Sequence, residues 1–85
     1  MTSAPQQGRT VTLYTKKDCG LCREAERVLG RLHREKPFAL VLVDIEADAR
    51  IYDRYWDRVP VVAVDGKEVA AAPLDETYLR ALLSA

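Results

Sequence analysis

The sequence predicts an α/β domain in which a four-stranded mixed sheet carries helices on both faces. Strand-like and helix-like segments alternate along the chain in the order strand, helix, strand, short helix, hairpin, helix. A strand–helix–strand succession forms a right-handed unit with two parallel strands. Asp65-Gly66, between two further strand-like segments, predicts an antiparallel hairpin. The 85 residues fit one domain with a thin core, so any site should lie at the surface or at an end of the sheet.

The first half of the chain predicts two strands and two helices. Thr10–Thr15 (TVTLYT) is rich in β-branched and aromatic residues, which is typical of a strand. Residues 38–43 form a continuous apolar run, typical of a central strand covered on both faces. Residues 44–47 are expected to be a loop, and Asp48 to cap a short helix that extends to about Trp56. Apolar residues at helical spacing predict a helix over residues 21–35, namely Leu21, Ala25, Val28, Leu29 and Leu32.

The second half predicts a hairpin and a terminal helix. Residues 59–64 are expected to form the third strand, and residues 67–70 an edge strand that pairs back to it. The two-residue turn between them needs positive φ angles, which Asp and Gly tolerate. The last helix is predicted over residues 75–83, with three leucines towards the core, namely Leu79, Leu82 and Leu83.

Composition and charge exclude several classes of protein. The 13 basic and 13 acidic side chains cancel, which gives no electrostatic reason to expect nucleic acid or an anionic membrane as a partner. Residues 1–9 lack the apolar run of a signal peptide and are expected to be a flexible tail before a single domain, residues 10–85. The longest apolar run, residues 38–43, is too short to span a bilayer. We therefore expect a cytoplasmic monomer that binds neither nucleic acid nor membrane.

The only two cysteines, Cys19 and Cys22, are the strongest chemical feature of the sequence. A disulfide between them closes a tiny loop and is a poor structural staple, so their spacing indicates catalysis or metal binding. Cys19 falls just after the first strand and at the start of the first helix, where a helix N-terminus stabilises a thiolate. Cys22 follows one helical turn later and is within reach. The spacing therefore predicts Cys19 as the nucleophile and Cys22 as the resolving thiol.

Three alternatives remain open for this pair. Zinc takes four ligands, and beyond the cysteines the chain offers only His33, interpreted as a solvated side chain, and scattered carboxylates, so we expect no metal ion within one chain. The pair could instead contribute to an iron–sulfur or other metal site shared between two chains, or be inert. A third possibility is a redox-inactive adaptor whose surface is Tyr55-Trp56 and a basic stripe. That stripe comprises Arg50, Arg54 and Arg58. It is more simply a solvated face paired with Asp53 and Asp57, except for Arg58, whose place before Val59-Pro60 puts it near the site.

Two segments resemble a known family. Leu13 to Cys22, LYTKKDCGLC, resembles the opening of a glutaredoxin, and Arg58-Val59-Pro60 with the following strand and hairpin resembles its cis-proline segment. The resemblance covers residues 11–83 and is strongest to short bacterial glutaredoxin-like proteins of unassigned substrate. It implies a thioredoxin/glutaredoxin-like fold and a thiol–disulfide oxidoreductase. It also implies a cis Val59-Pro60 bond, whereas the sequence alone indicates only a proline that opens a strand in the common trans form.

The resemblance also implies a substrate site. Lys16, Arg58, Val59 and Pro60 would bind substrate beside the catalytic Cys19 and Cys22, with the Val59 backbone free to pair with a peptide or glutathione. The implied partners are a disulfide-containing protein or small molecule and an electron donor, with no tightly bound cofactor.

Three differences from the family concern glutathione. Gly20-Leu21 replaces the usual Pro-Tyr between the cysteines, and Ala70-Ala71 replaces the usual Gly-Gly pair after the last strand. The acidic residue that should follow that pair, to bind the glutathione amino group, is missing, and the first acid is Asp75. The added β-carbons obstruct close approach of a ligand to the backbone. Glutathione is therefore expected to be a weakly bound co-substrate at most.

Overall fold

The computed structural model describes residues 9–84 and contains four strands and three α-helices. The prediction of a tail over residues 1–9 lies outside this range, except for Arg9. A single 3-10 turn, Ile45–Ala47, occupies the segment expected to be a loop. The elements follow the predicted order: β1 (Thr10–Thr15), α1 (Gly20–Glu35), β2 (Ala39–Asp44), α2 (Ala49–Tyr55), β3 (Val61–Val64), β4 (Lys67–Ala71) and α3 (Glu76–Ser84).

The four strands form one mixed sheet in the order β2-β1-β3-β4. β1 pairs with β2 in parallel and with β3 antiparallel, and β3 pairs with β4 antiparallel. In the hairpin between β3 and β4, Asp65 and Gly66 have φ angles of 51° and 86°. The predicted sheet, its edge strand β4 and its positive-φ turn are thus confirmed.

Side chains that alternate along the strands separate two cores. On one face, α1 and α3 pack on the sheet around a main core that includes Leu13, Leu29, Val62 and Leu79. On the other face, Ile45, Tyr55 and Val61 form a small cluster beneath α2. Helices therefore cover both faces, as predicted. Within residues 9–84, no helix is long and apolar enough to cross a membrane.

Two sequence-based expectations about burial are wrong. β2 is not a central strand but an edge strand, with Val41 and Leu42 43% and 52% exposed. An apolar run indicates a strand but not its neighbours, and here β1 takes the central position because β3 pairs on its other side. Leu21, expected in the core, is 59% exposed, and Cys22 is buried in its place. At its first turn the helix therefore faces the core with Cys22 rather than with Leu21.

Both helices nearest the site begin at side-chain caps. Cys19 is the N-cap of α1, and its sulfur accepts a hydrogen bond from the Cys22 N–H. Asp48 caps α2 as predicted, since one of its carboxylate oxygens accepts hydrogen bonds from the N–H groups of Arg50 and Ile51 at 2.8 and 3.3 Å. These caps satisfy N–H groups that have no partner inside the helix.

Candidate active site

The two cysteines form a disulfide at the start of α1. Asp18, just before them, has a φ of 54°, a conformation that Asp tolerates better than most residues and that turns the chain into the helix. The sulfurs of Cys19 and Cys22 lie at disulfide distance, with their Cα atoms 5.2 Å apart. The Cys22 N–H lies 3.1 Å from the Cys19 sulfur. This hydrogen bond and the helix dipole favour negative charge on Cys19.

The two sulfur-bearing residues differ in exposure. Cys19 is partly exposed, whereas Cys22 is 1% exposed. A partner in the exchange must reach the sulfur with which it reacts. Exposure therefore favours Cys19 as the residue that meets the partner, as does its position at the start of the helix.

A basic recess of about 310 Å³ opens on the β2 side of the disulfide. Lys16, Lys17 and Arg23 contribute three positive charges, and Glu26 and Asp44 contribute two negative ones. Its lining also includes Leu42 and Thr15. Arg23 was not identified from the sequence, although its position one turn into α1 is that of a residue beside Cys19 and Cys22.

The Thr15 hydroxyl is a second feature that the sequence did not identify. Thr15 ends β1 with its side chain buried, and its Oγ1 has no hydrogen-bond partner among residues 9–84. Its register position is the only signal in the sequence, because Val11, Leu13 and Thr15 alternate onto the same buried face.

An apolar recess lies on the opposite side of α1. Its volume is about 110 Å³, and it separates the first turns of α1 from the segment between β4 and α3. Glu24 is the only ionisable residue that lines it. The other lining residues are apolar: Leu21, Ala25, Val28, Ala72, Pro73 and Leu74. This recess lies next to Ala70-Ala71, the position at which glutaredoxins carry Gly-Gly.

The Val59-Pro60 peptide bond is cis, which confirms the prediction, and the Ala72-Pro73 bond is also cis. Val61 pairs with Tyr14 in the sheet, so Pro60 lies opposite Thr15 at the end of the sheet from which the chain continues to Cys19. Pro60 is fully buried, and its carbonyl accepts a hydrogen bond from the Ala72 N–H at 3.2 Å. The structure thus brings the predicted Pro60 to the same end of the sheet as the cysteines.

The Val59 backbone was expected to be free to pair with substrate, and this expectation is wrong for its N–H group. The Val59 N–H donates to the Tyr55 carbonyl at 3.2 Å, as the Arg58 N–H does at 2.8 Å. The chain leaves α2 in a tight turn here, so its first N–H groups return to the helix end. Among the described residues no backbone donor pairs with the Val59 carbonyl, which remains available to accept a hydrogen bond.

A cluster of polar and aromatic side chains holds the segment before Pro60. The Tyr55 hydroxyl donates to Glu68 at 2.7 Å, and its ring stacks on Tyr14 with centroids 4.2 Å apart. The Arg58 guanidinium lies 5.0 Å from the centre of the Tyr55 ring and 3.4 Å from a Glu68 oxygen. Arg58, predicted to bind substrate, is thus already paired with a carboxylate of β4.

The ionisation of this cluster follows from its contacts. Burial, and then the hydrogen bond to Glu68, raise the pKa of Tyr55 to about 12. The Tyr55 hydroxyl, and then Arg58, lower the pKa of the Glu68 carboxyl. At neutral pH a neutral phenol therefore donates to an ionised carboxylate, which is a charge-assisted hydrogen bond.

The basic stripe has no ion pair along its own helix. Arg50, Arg54 and Arg58 are exposed, and Arg58 pairs with Glu68 rather than with Asp53 or Asp57. The Arg54 guanidinium lies 5.8 Å from the centre of the Tyr55 ring. Of the two neighbouring aromatic residues, Tyr55 is buried, whereas Trp56 is 54% exposed.

Nothing in the described part of the chain assembles a metal site. Within residues 9–84, no three His, Cys, Asp or Glu side chains are grouped so that they could hold a metal ion. His33 is exposed, as expected, and its ring meets the edge of Phe38 with centroids 5.1 Å apart.

The chain is similar to a described protein family and to a curated relative. Residues 10–84 match the model of the family described as Glutaredoxin-like domain (DUF836). An uncharacterized protein of Mycobacterium tuberculosis (strain H37Rv) is 32% identical over 76 residues, which cover 84% of this chain and 78% of that protein.

Solved structures show the same fold. An X-ray structure of target protein XcR50 from X. campestris is 36% identical, with a TM-score of 0.72 over 87% of this chain and 95% of that chain. The solution structure of protein Ne2328 from Nitrosomonas europaea is 27% identical, with a TM-score of 0.77 over 94% and 96%. A mutant thioredoxin from Halobacterium salinarum, 23% identical with a TM-score of 0.69 over 89% and 72%, shares the fold alone.

Proposed function

Because the chain belongs to the glutaredoxin-like domain family, we propose that it is a thiol–disulfide oxidoreductase in which Cys19 attacks and Cys22 resolves. The observation that carries this proposal is the position of the Cys19 sulfur. It lies at the N-cap of α1, accepts the Cys22 N–H at 3.1 Å and is within disulfide distance of the Cys22 sulfur. A partly exposed Cys19 beside a buried Cys22 is the arrangement that a two-step exchange needs.

The proposed exchange transfers two electrons. In the reduced protein the Cys19 thiolate attacks one sulfur of a substrate disulfide, so that a mixed disulfide forms and the other substrate sulfur leaves as a thiolate. The Cys22 thiol loses its proton to solvent and attacks the Cys19 sulfur, which releases the second substrate thiolate and forms the Cys19–Cys22 disulfide. A thiol or dithiol donor then reduces this disulfide by the reverse chemistry.

Four residues are proposed to hold the substrate. The Val59 carbonyl accepts a hydrogen bond from the substrate backbone. Pro60, which is buried at the end of the sheet, supports the Val59 segment from below. Lys16, which lines the basic recess, attracts an anionic group. Arg58 binds a substrate carboxylate only in competition with Glu68, since that carboxylate lies 3.4 Å from its guanidinium.

We propose that the substrate is a disulfide of a protein or small molecule other than glutathione. Support comes from the apolar recess beside Leu21, whose one ionisable residue, Glu24, repels carboxylates. Asp75 does not replace the missing acid, because its carboxylate caps α3 by accepting the Tyr78 N–H at 3.0 Å. Loss of one charge-assisted contact, about 1.5–3 kcal/mol, weakens glutathione binding about ten- to a hundredfold.

The proposed cellular role is redox homeostasis in a reducing compartment, the cytoplasm, with electron transport from a thiol donor to the substrate disulfide. A two-residue loop between the cysteines adds little stability, so the pair is suited to opening and closing rather than to holding the fold together.

Alkylation of the reduced protein tests the assignment of the two thiols. At mildly acidic pH, iodoacetamide should label Cys19 faster than Cys22 because only Cys19 is exposed and at the helix start. Peptide mass spectrometry measures the two rates, and the unfolded protein, in which they should converge, is the control. Faster labelling of Cys22 in the folded protein would reverse the roles.

Trapping tests the exchange itself. A Cys22→Ser variant should accumulate a mixed disulfide through Cys19 with a protein disulfide substrate, whereas Cys19→Ser should not. If neither variant differed from the unchanged protein in turnover, the proposed activity would be refuted. A coloured dimer after anaerobic purification would instead assign the cysteines to an iron–sulfur cluster.

Titration of Cys19→Ser with glutathione, followed by NMR, tests the substrate class. We expect small, unsaturated shifts up to millimolar glutathione. Saturation at micromolar concentration, with shifts centred on Lys16, Val59 and Ala71, would show that the protein is a glutathione-dependent glutaredoxin.

A further inference from the structure

The two edges of the sheet differ in their protection against pairing with another strand. The outer edge at β4 carries the charged residues Lys67 and Glu68 and an irregular register at Val62/Ala63. The outer edge at β2 is less protected: its one charged residue, Asp44, is the last of the strand, Ala39 to Val43 contain no charge or proline, and β2 pairs with β1 in continuous register. Charges and bulges are the usual devices that keep an exposed strand from pairing, so β2 is the less protected edge.

β2 also exposes apolar side chains on both of its faces. Val41 is 43% exposed and Leu42 is 52% exposed, and successive side chains of a strand point to opposite faces. A strand added at this edge would therefore find an apolar neighbour above and below the sheet. Cross-strand apolar pairs of this kind stabilise a sheet.

The charges that flank β2 favour a second copy of the same strand. The flank before it has a net positive charge, since Arg34 and Lys36 outnumber Glu35, which pairs with Arg80. The other flank is acidic, with Asp44 at the end of the strand and Glu46 and Asp48 after it. In an antiparallel pair the basic flank of one strand lies beside the acidic flank of the other. Lys36 has an extended backbone, and neither Lys36 nor Glu46 forms an ion pair within residues 9–84.

We propose that β2 pairs antiparallel with β2 of a second copy, about a twofold axis near Val41, to form a continuous eight-stranded sheet. Val41 then faces its own equivalent and Leu40 faces Leu42. Lys36 lies at the same end of the joined sheet as Glu46 of the other copy, which is in the 3-10 turn that follows β2. The contact is isologous, so it closes after two copies and does not propagate. One strand per copy makes a small interface, and the dimer is accordingly weak and reversible.

This dimer differs from the monomer that the sequence favours, and it leaves the cysteines uncovered, although Leu42 and Asp44 at its edge also line the basic recess with Lys16. Cys19 lies at the carboxyl end of the sheet, where β1 and β2 both end. Antiparallel pairing places the two cysteine pairs at opposite ends of the joined sheet. The dimer therefore needs neither cysteine, and its test is independent of the proposed activity.

Sedimentation velocity over a range of protein concentrations, with reductant present, tests the dimer. We expect reversible monomer–dimer exchange, and Val41→Lys should weaken it at least about tenfold because an edge lysine opposes strand pairing. Tyr78→Lys is the matched control, since Tyr78 on α3 is 47% exposed but far from β2 in the chain, and it should leave the dimer unchanged. Circular dichroism reports whether each variant folds. A monomer at every concentration, or an equal effect of both variants, would overturn the proposal.

A charge-reversal cycle tests the antiparallel arrangement. Lys36→Glu and Glu46→Lys should each weaken the dimer, and the double variant should restore it, with an effect that fades as salt rises. Failure of the double variant to recover would exclude this register. Dimerisation that increases several-fold when residues 2–8 are deleted would assign the edge to the protein's own N-terminal segment. Turnover of a disulfide substrate, measured in parallel, should be the same for Val41→Lys as for the unchanged protein.

Discussion

The two faces of the sheet are stabilised in different ways. Beneath α1 and α3 the core is apolar, and it includes the fully buried Leu13, Leu29 and Leu79. Beneath α2 the apolar cluster is small, and the polar contacts of Tyr55 with Glu68 extend it. The same sheet is therefore held by packing on one side and by packing with a charge-assisted hydrogen bond on the other.

The candidate site joins these two unequal faces. The cysteines belong to α1, which is packed on the main core, whereas Val59 and Pro60 follow α2, which is not. Fewer buried apolar contacts make a segment easier to displace. In the proposed reaction the cysteines must keep their geometry, while the Val59 segment must adapt to a substrate, and the difference between the faces matches these needs.

The largest expected effect is on the main core. Leu29→Ala removes a side chain that is fully buried between α1 and the sheet, and it should lower the free energy of unfolding by about 2–5 kcal/mol. Ile51→Ala, on a residue of α2 that is only partly buried against the small cluster, should cost less than half as much. Urea unfolding measures both. Equal costs would show that the two faces are not as unequal as their packing indicates.

The polar contact of the thinner face should matter less for stability and more for substrate. Tyr55→Phe keeps the ring on Tyr14 but removes the hydrogen bond to Glu68, at a cost of about 1–2 kcal/mol. The Tyr55 carbonyl also accepts the Val59 N–H, so a less firmly held Tyr55 should hold the Val59 segment less firmly. We therefore expect KM for a protein disulfide to rise while the alkylation rate of Cys19 stays the same. A change in the alkylation rate alone would contradict this division.

The same hydroxyl should make stability depend on alkaline pH. The folded-state pKa of Tyr55 is raised from 10.0 to about 12, so the folded protein holds this proton more tightly than the unfolded chain. The contribution is complete below about pH 10 and is lost as pH rises towards 12. Tyr55→Phe should lack this step in the unfolding free energy and in the tyrosinate absorbance. If Tyr55→Phe showed the same dependence of stability on pH as the unchanged protein, the step would belong to another group.

Glu68 should give a smaller effect of opposite sign at acid pH. Its pKa is lowered by the Tyr55 hydroxyl and then by Arg58, so its contribution is present above the ordinary carboxyl range. It is lost as pH falls through the lowered value. In Glu68→Gln the fall in stability towards acid pH should be shallower than in the unchanged protein, as thermal unfolding across pH would show; an equally steep fall would contradict the assignment.

The smallest effect is expected from ion pairs on the outside of the main core. Arg31 binds Glu76 at 2.8 Å, and the Arg80 Nε–Glu35 contact is also 2.8 Å, but these side chains remain 28–48% exposed. Solvent screens such pairs. Arg31→Ala should therefore lower the free energy of unfolding less than Tyr55→Phe does. The loss in Arg31→Ala relative to the unchanged protein should vanish near about 1 M salt, where the Debye length is about 3 Å. A salt-independent loss would mean that the arginine acts through packing.

Features that depend on neighbours along the chain could be predicted from the sequence. The Asp65-Gly66 turn, the Asp48 cap of α2 and the position of Cys19 between β1 and α1 all follow from local backbone chemistry, and the structure confirms them. The resemblance of Arg58-Val59-Pro60 to a known segment supplied the cis bond, which composition and spacing do not indicate.

Which residues meet across the sheet depends instead on the three-dimensional fold. An apolar run such as β2 is equally suited to a central or an edge position until β3 pairs with the far side of β1. Tyr55 and Glu68 lie 13 positions apart, and no sequence pattern links them. The Val59 N–H was lost to Tyr55 because the exit from α2 is a tight turn. Local propensity acts over a few residues, whereas pairing and burial depend on where distant segments are brought together.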